Sequence, residues 1–218
     1  MQPDFWITRW QRGETGFHLP DVNPWLRAQL NALQLTAGSH VFVPLCGKSH
    51  DLRFLADQGA RVTGIELSPL AVEAFFAEQD LEPARTSLHG MTLYTAGGIR
   101  LFCGDFFQLT REMLGTVDAV FDRASLVAMP PETRPAYAAH LAGLLPPGAR
   151  TLLVAFDYPQ HEMPGPPFSV PQSEIRSLFG SCFDIAPLGR TDILDAEPRF
   201  RARGLTRLTE TCWIMLRR

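Results

Sequence analysis

Residues 39–69, SHVFVPLCGKSHDLRFLADQGARVTGIELSP, run through a strand pattern, a glycine turn, a helix pattern, a second strand pattern and an acidic strand end without interruption. His40–Leu45 is short, uncharged and β-branched at Val41 and Val43, which suits a strand covered on both faces in a parallel sheet. Gly47 supplies the sharp bend that follows. Ser49 stands where a helix N-cap belongs, ahead of a helix running through Leu52, Phe54 and Leu55 to about Ala56, and Gly59 ends it. Arg61–Leu67 is the second strand. The stretch therefore reads as a βαβ unit, the building block of a doubly wound α/β sheet.

The spacing carries chemistry. In such sheets a ligand sits outside the carboxyl ends of the strands, the first turn meets it with bare backbone, and an acidic residue about 20 positions later accepts hydrogen bonds from a ribose. Glu66 lies 19 residues after Gly47. Two ligand classes use this arrangement, dinucleotides and S-adenosylmethionine (SAM). A pyrophosphate on the helix N-terminus requires G-x-G-x-x-G, whereas the turn Leu45-Cys46-Gly47-Lys48-Ser49-His50 has a single glycine. That favours SAM and leaves an NAD-dependent oxidoreductase as the weaker reading.

Composition narrows the partners. With 218 residues, 45% hydrophobic and 20% charged, the chain is long enough for a full core, and one domain spanning 1–218 is expected. A net charge of −3 and the lack of a Lys/Arg block argue against a nucleic-acid surface. No apolar run reaches the roughly 18 residues needed for a membrane span, so a cytoplasmic protein without a membrane partner is expected. Cys46, Cys103, Cys182 and Cys212 are scattered without C-x-x-C spacing, which points to reduced thiols and to no metal site.

Along the rest of the chain, Phe5, Trp6 and Trp10 form an aromatic cluster on a short helix broken at Gly13 and Gly16. This is either a core anchor or a lid. Asn23-Pro24 opens a helix through Leu26, Leu30 and Leu33, and Ser68-Pro69 caps another that reaches about Gln79. Residues 91–103 read as a hairpin around Gly97-Gly98, followed by Asp105, which either contacts a ligand or caps the next turn. Val117–Phe121 is the fourth strand, leading to Asp122 and Arg123. A helix is expected from Pro131 to Leu145, then a strand at Arg150–Asp157 and a long extended proline-rich loop, 159–171, beside the acceptor site. Helix Gln172–Phe179 follows, and Cys182–Leu188 with Leu205–Leu216 are expected to pair as an antiparallel edge.

One resemblance covers about residue 5 to the C-terminus. VFVPLCGKSHDLRFLADQGARVTGIELS, the W-x-x-x-W of Trp6 and Trp10, the Phe17-His18 pair, Phe121-Asp122-Arg123 and PGPPF at 164–168 resemble the thiopurine S-methyltransferases. The resemblance implies a class I, Rossmann-like methyltransferase with a doubly wound, seven-stranded, mostly parallel sheet. It implies an N-terminal lid arm and helix over 1–35, a cofactor-binding core over 39–157, and acceptor-side segments over 158–218. SAM is the implied cofactor and S-adenosylhomocysteine (SAH) its product. Trp6, Trp10, Leu45, Gly47, Glu66, Leu67, Asp105 and Arg123 are the implied cofactor contacts. Arg123 is the implied catalytic residue, and Phe17, His18 and Arg199, in the loop before the last strand, are implied to meet the acceptor. The implied reaction methylates the sulfur of a thiopurine or related aromatic or heterocyclic thiol, in a monomer whose partner is that small molecule. Methylation of selenium or tellurium species stays open beside it, as does a SAM-binding regulator without catalysis.

Overall fold

The computed structural model describes residues 3–218, and the chain divides into two compact units, one ending at Phe121 and one beginning at Asp122. The first two residues of the N-terminal arm lie outside the described residues.

In the first unit α1 (Pro3–Gln11), α2 (Pro24–Gln29) and a 3-10 turn (Leu30–Leu33) precede β1 (His40–Val43). Then come α3 (His50–Asp57), β2 (Arg61–Glu66), α4 (Pro69–Glu78), β3 (Ala84–Leu88), β4 (Met91–Ala96) and β5 (Ile99–Cys103). Phe106–Gln108 is a 3-10 turn, α5 is Arg111–Leu114, and β6 (Ala119–Arg123) crosses into the second unit. The strands of the first unit run β3-β4-β5-β2-β1-β6. β1 pairs in parallel with both β2 and β6, and β2 in parallel with β5. All four β1 residues are buried, as expected for a strand covered on both faces. Phe75 and Phe76 on α4 are essentially inaccessible, each side chain contributing about 2–3 kcal/mol of burial.

The second unit holds α6 (Ser125–Ala128), α7 (Arg134–Leu144), β7 (Arg150–Asp157), α8 (Gln172–Phe179), β8 (Phe183–Asp192), α9 (Pro198–Ala202) and β9 (Thr209–Arg217). β9 lies antiparallel between β7 and β8, as the alternation in the last segment leads one to expect. A separate apolar cluster of Tyr158, Met163, Leu194, Phe200, Leu205 and Leu208 fixes α9 and the segment after β7.

Three expectations need correction. Nine strands occur among the described residues, not seven, because the hairpin β3–β4 extends the sheet beyond β5 in antiparallel fashion. β3 escapes the sequence reading because its residues, ARTSL, are nearly all exposed and carry no apolar alternation. The helix expected from Pro131 begins at Arg134, since Pro130 and Pro131 are spent in a turn closed by the Thr133 N–H to the Pro130 carbonyl. The 159–171 segment is not extended: Gln160–Glu162 forms a 3-10 turn, and Gln160 and Ser169 stitch the segment back to Tyr158. Among the described residues, no helix is long and apolar enough to cross a membrane.

Candidate active site

The turn after β1 departs from ordinary backbone geometry at two residues, Leu45 (φ +46°) and Gly47 (φ +53°). A left-handed leucine costs of order 1 kcal/mol and persists only where its surroundings enforce it, a condition common at ligand sites. Two enforcing contacts are visible. The Cys46 N–H donates to the Ile65 carbonyl at 3.0 Å, tying the turn to β2. Gly64 of β2 has no room for a side chain, because a Cβ there would stand 2.7 Å from both Cys46 Sγ and Leu101 Cδ2.

Glu66 ends β2 as expected, and it is buried. Its Oε2 accepts the Gly47 N–H at 2.9 Å and its Oε1 accepts the Ser68 N–H at 2.8 Å. Burial raises its pKa, and the N–H groups of Ser68, Gly47 and Leu67 oppose that rise by favouring the anion. The carboxylate is thus oriented by main chain. An ionised carboxylate offers about four acceptor positions, so the two N–H bonds leave capacity for a diol. The same bond alters the local capping: Ser68 precedes α4 as expected, yet its hydroxyl makes no cap, while its N–H serves Glu66.

The arm closes on this turn. A Cβ on Gly47 would lie 3.2 Å from Cζ2 of Trp10, so the indole rests against the bare backbone of the turn. Phe17 stands edge-to-face with both Trp6 (5.6 Å between ring centroids) and Trp10 (5.4 Å). This position makes Phe17 the packing centre of the arm. His18 lies 5.3 Å from the ring of His50, the first residue of α3. Asp105 caps the turn at Phe106, accepting the Phe107 N–H at 3.0 Å. It also follows β5, whose Cys103 pairs with Glu66 and whose neighbour Gly104 donates to the Glu66 carbonyl, so Asp105 and Glu66 close adjacent parallel strands. Leu67, half-buried, adjoins Glu66 in the chain. Trp6, Trp10, Leu45, Gly47, Glu66, Leu67, Asp105, Phe17 and His18 all belong to the first unit.

Arg123 and Arg199 belong to the second unit. Arg123 is the half-buried last residue of β6, and Ala124 beyond it turns left-handed (φ +66°). Arg199 sits on α9, not in a loop; its Nε is 2.8 Å from Glu197 Oε2 and its guanidinium lies 4.8 Å from the Phe200 ring centroid. Phe200 belongs to the separate apolar cluster, which gives Arg199 a fixed base.

Sequence reasoning missed the polar ties that carry these residues. Asp51 accepts the Asn23 N–H at 2.7 Å and the Ser49 hydroxyl at 2.6 Å, joining the entry to α2 with the start of α3. Arg134, with a side chain 1% exposed, donates from Nη1 to both oxygens of Glu174 (2.7 and 2.8 Å) and from Nε to the Met129 carbonyl, with Phe168 of the PGPPF string beside it. The sequence hint of that pair is an arginine at the start of a largely apolar helix. Among the described residues, no group of three or more His, Cys, Asp or Glu is arranged to hold a metal ion.

Comparison with known proteins decides the class. The model of the family "Thiopurine S-methyltransferase" matches residues 1–218. The chain belongs to that family. A thiopurine S-methyltransferase of Nitrosospira multiformis is 49% identical over 218 residues, covering 100% of this chain and 99% of the relative. One from Pseudomonas aeruginosa PAO1 is 46% identical with 100% of each chain covered. Among solved structures, a SAM-dependent methyltransferase from Anabaena variabilis superposes with a TM-score of 0.66 at 16% identity, covering 99% of this chain and 95% of that one. The Burkholderia thailandensis 1,6-didemethyltoxoflavin-N1-methyltransferase, with 1,6-didemethyltoxoflavin and SAH bound, gives 0.64 at 18% identity over 99% of this chain and 87% of that one. These two similarities are of fold. The thiopurine S-methyltransferase fold here is accordingly that of a SAM-dependent methyltransferase, and the protein is an enzyme that uses SAM. The readings as an NAD-dependent oxidoreductase and as a non-catalytic regulator find no support among these relatives.

Proposed function

We infer that the enzyme transfers the methyl group of SAM to the sulfur of a thiopurine or a related aromatic or heterocyclic thiol, with the whole chain, 1–218, acting as one methyltransferase domain. The observation that carries the cofactor half is the buried Glu66 carboxylate, oriented by the Gly47 and Ser68 N–H groups beside Trp10. The acceptor half rests on the family match over all 218 residues and on the two arginines of the second unit.

SAM brings an activated methyl group on a positive sulfur, and its loss leaves SAH. The chain's own tasks are to bind, to align and to exclude water. Glu66 accepts the ribose hydroxyls, while Gly47 offers a backbone surface that any side chain would obstruct. Asp105 and Leu67 complete the nucleoside side. Trp6 and Trp10, braced by Phe17, cover the turn, and an aromatic face within about 6 Å of a cation contributes about 0.5–2 kcal/mol. Arg123 favours the thiolate form of the acceptor, so a strong general base is unnecessary. Phe17 and His18 in the first unit, and separately Arg199 in the second, are the residues assigned to the acceptor.

The test is turnover of the purified chain with SAM and a panel of acceptors, followed by SAH release: a thiopurine, a benzenethiol, an aliphatic thiol, selenite and tellurite. The thiopurine and benzenethiol are expected to have the highest kcat/KM. Turnover confined to the selenium or tellurium compounds would overturn the thiol assignment.

A further inference from the structure

Asp122 is an unusual occupant of its position. It sits on a strand with 0% of its surface exposed, where an apolar side chain would incur no desolvation cost. Its Oδ2 accepts the Tyr137 hydroxyl of α7 at 2.7 Å, while Oδ1 makes no hydrogen bond of normal geometry. Burial lifts its pKa from 3.8 to about 6, against the opposing effects of the Tyr137 hydroxyl, the Ser125 hydroxyl and the N–H groups of Leu126 and Ser125. These are the groups that face it, from α7 on one side and α6 on the other. A buried carboxylate is costly to ionise, so its presence calls for an account beyond packing.

Its place in the chain supplies one. Asp122 immediately precedes Arg123, Ala124 turns left-handed (φ +66°, ψ −2°), and α6 starts at Ser125. The strand thus gives way to α6 across a single residue, and the N–H groups of Ser125 and Leu126 favour the Asp122 anion. Successive strand residues point to opposite faces, so with Asp122 directed at Tyr137 the Arg123 side chain leaves from the other face.

We propose that Asp122 and Tyr137 are a positioning pair for Arg123: the ionised Asp122 carboxylate, steadied by the Tyr137 hydroxyl, closes the turn 122–126 and so aims the guanidinium used in methyl transfer. The proposal rests on the reading of Arg123 as the residue that acts on the acceptor. It gives the reaction a pH dependence with a defined sign. As pH falls through the Asp122 pKa the carboxyl becomes neutral, holds the N–H groups of the turn more weakly, and Arg123 loses its alignment.

The experiment is kcat/KM for one thiol acceptor, at saturating SAM, from about pH 5 to about pH 9, for wild type, Asp122→Asn, Tyr137→Phe and Arg123→Ala. Dividing wild type by variant at each pH cancels the acceptor's own ionisation. For Asp122→Asn the ratio is expected to be about tenfold above pH 7 and to collapse towards one below about pH 6, where the wild-type carboxyl is also neutral. Tyr137→Phe removes a bond that favours the anion, so its ratio should peak near about pH 6–7 and shrink at higher pH. SAM affinity by calorimetry should fall by less than kcat/KM in both, since Glu66 is untouched and Arg123, also an implied cofactor contact, is displaced and not removed. A ratio that does not vary with pH in either variant overturns the proposal, because a merely structural defect would lower activity uniformly. If Asp122→Asn fails to fold, the Tyr137→Phe profile alone decides. Arg123→Ala separates the two layers. Wild-type activity there removes the reading of Arg123 itself, whereas a loss of about a hundredfold beside a flat Asp122→Asn ratio removes only the positioning pair.

Discussion

Up to Phe121 the carboxylate and the turn it faces are held by main chain: Glu66 is oriented by two backbone N–H groups, the turn is pinned through the Cys46 N–H, and Gly47 and Gly64 clear space by lacking side chains. From Asp122 onwards the ties are made by side chains: Arg134 with Glu174, Tyr137 with Asp122, Gln160 and Ser169 around Tyr158, and Glu162 with Thr206. The difference teaches where variation is tolerable. A backbone cradle depends on a few glycines and one carboxylate, and suits a cofactor that does not change. A side-chain scaffold is altered by single substitutions, which suits the half assigned to recognising an acceptor.

The strongest way to break the comparison is to remove the central tie of the second unit. Arg134→Ala deletes a guanidinium whose side chain is 1% exposed, together with its bidentate bond, while Glu174 retains 27% exposure and partial hydration. Loss of one partner of a buried pair costs about 3–5 kcal/mol, and the partly hydrated Glu174 puts the expected loss near the lower end, about 3 kcal/mol. Urea unfolding measures it. A loss below about 1 kcal/mol would show that the side-chain scaffold is redundant and that the two units are not built differently.

A smaller effect is expected in the first unit, and in affinity instead of stability. With Glu66 assigned to the ribose, as proposed, Glu66→Ala is expected to remove charge-assisted hydrogen bonds worth about 1.5–3 kcal/mol. SAM should bind about tenfold to a hundredfold more weakly by calorimetry. Unchanged affinity in a folded variant would detach this strand end from the cofactor and leave the turn as a structural feature only.

The same contrast explains what was legible beforehand. β1, α3 and β2 were readable almost to the residue because a buried strand, a serine cap, a glycine stop and an acidic strand end are local signals. β7 and α8 were read with the boundaries found. What stayed hidden is non-local or lacks an apolar pattern. Arg134 and Glu174 are 40 positions apart, and nothing near either names the other. The Tyr137 hydroxyl meets Asp122 across 15 positions, and in the sequence Asp122 stands only as the residue before Arg123 at the end of the fourth strand. The proline string looked extended because proline forbids regular structure, but Gln160 and Ser169 supply the bonds that curl it. The arginine-rich stretch before the last strand looked like a loop, yet Phe200 and the proline at its start make it the short helix α9.

The smallest expected effect sharpens the comparison most, because it concerns a residue whose two readings differ only in function. Arg199 is 41% exposed at the side chain, pairs with Glu197 and stacks on Phe200, all features of an ordinary surface arginine. Its ion pair is worth at most about 1 kcal/mol, so Arg199→Ala should leave the urea midpoint nearly unchanged. The base beneath it is another matter, since Phe200 is anchored in the cluster with Tyr158 and Leu208, and that anchorage holds the backbone of residue 199 in place whether or not the guanidinium is used. If Arg199 orients the acceptor, its removal raises KM for the thiol or lowers kcat by up to about tenfold while SAM affinity, set in the first unit by Glu66, stays as in wild type. Arg199→Lys separates charge from shape: a lysine keeps the positive charge without the planar fork, so recovery of most of the lost kcat/KM would identify an electrostatic role and no recovery a directional one. Wild-type kcat/KM in Arg199→Ala would assign the residue to the surface and leave Arg123 as the acceptor-side arginine of the mechanism.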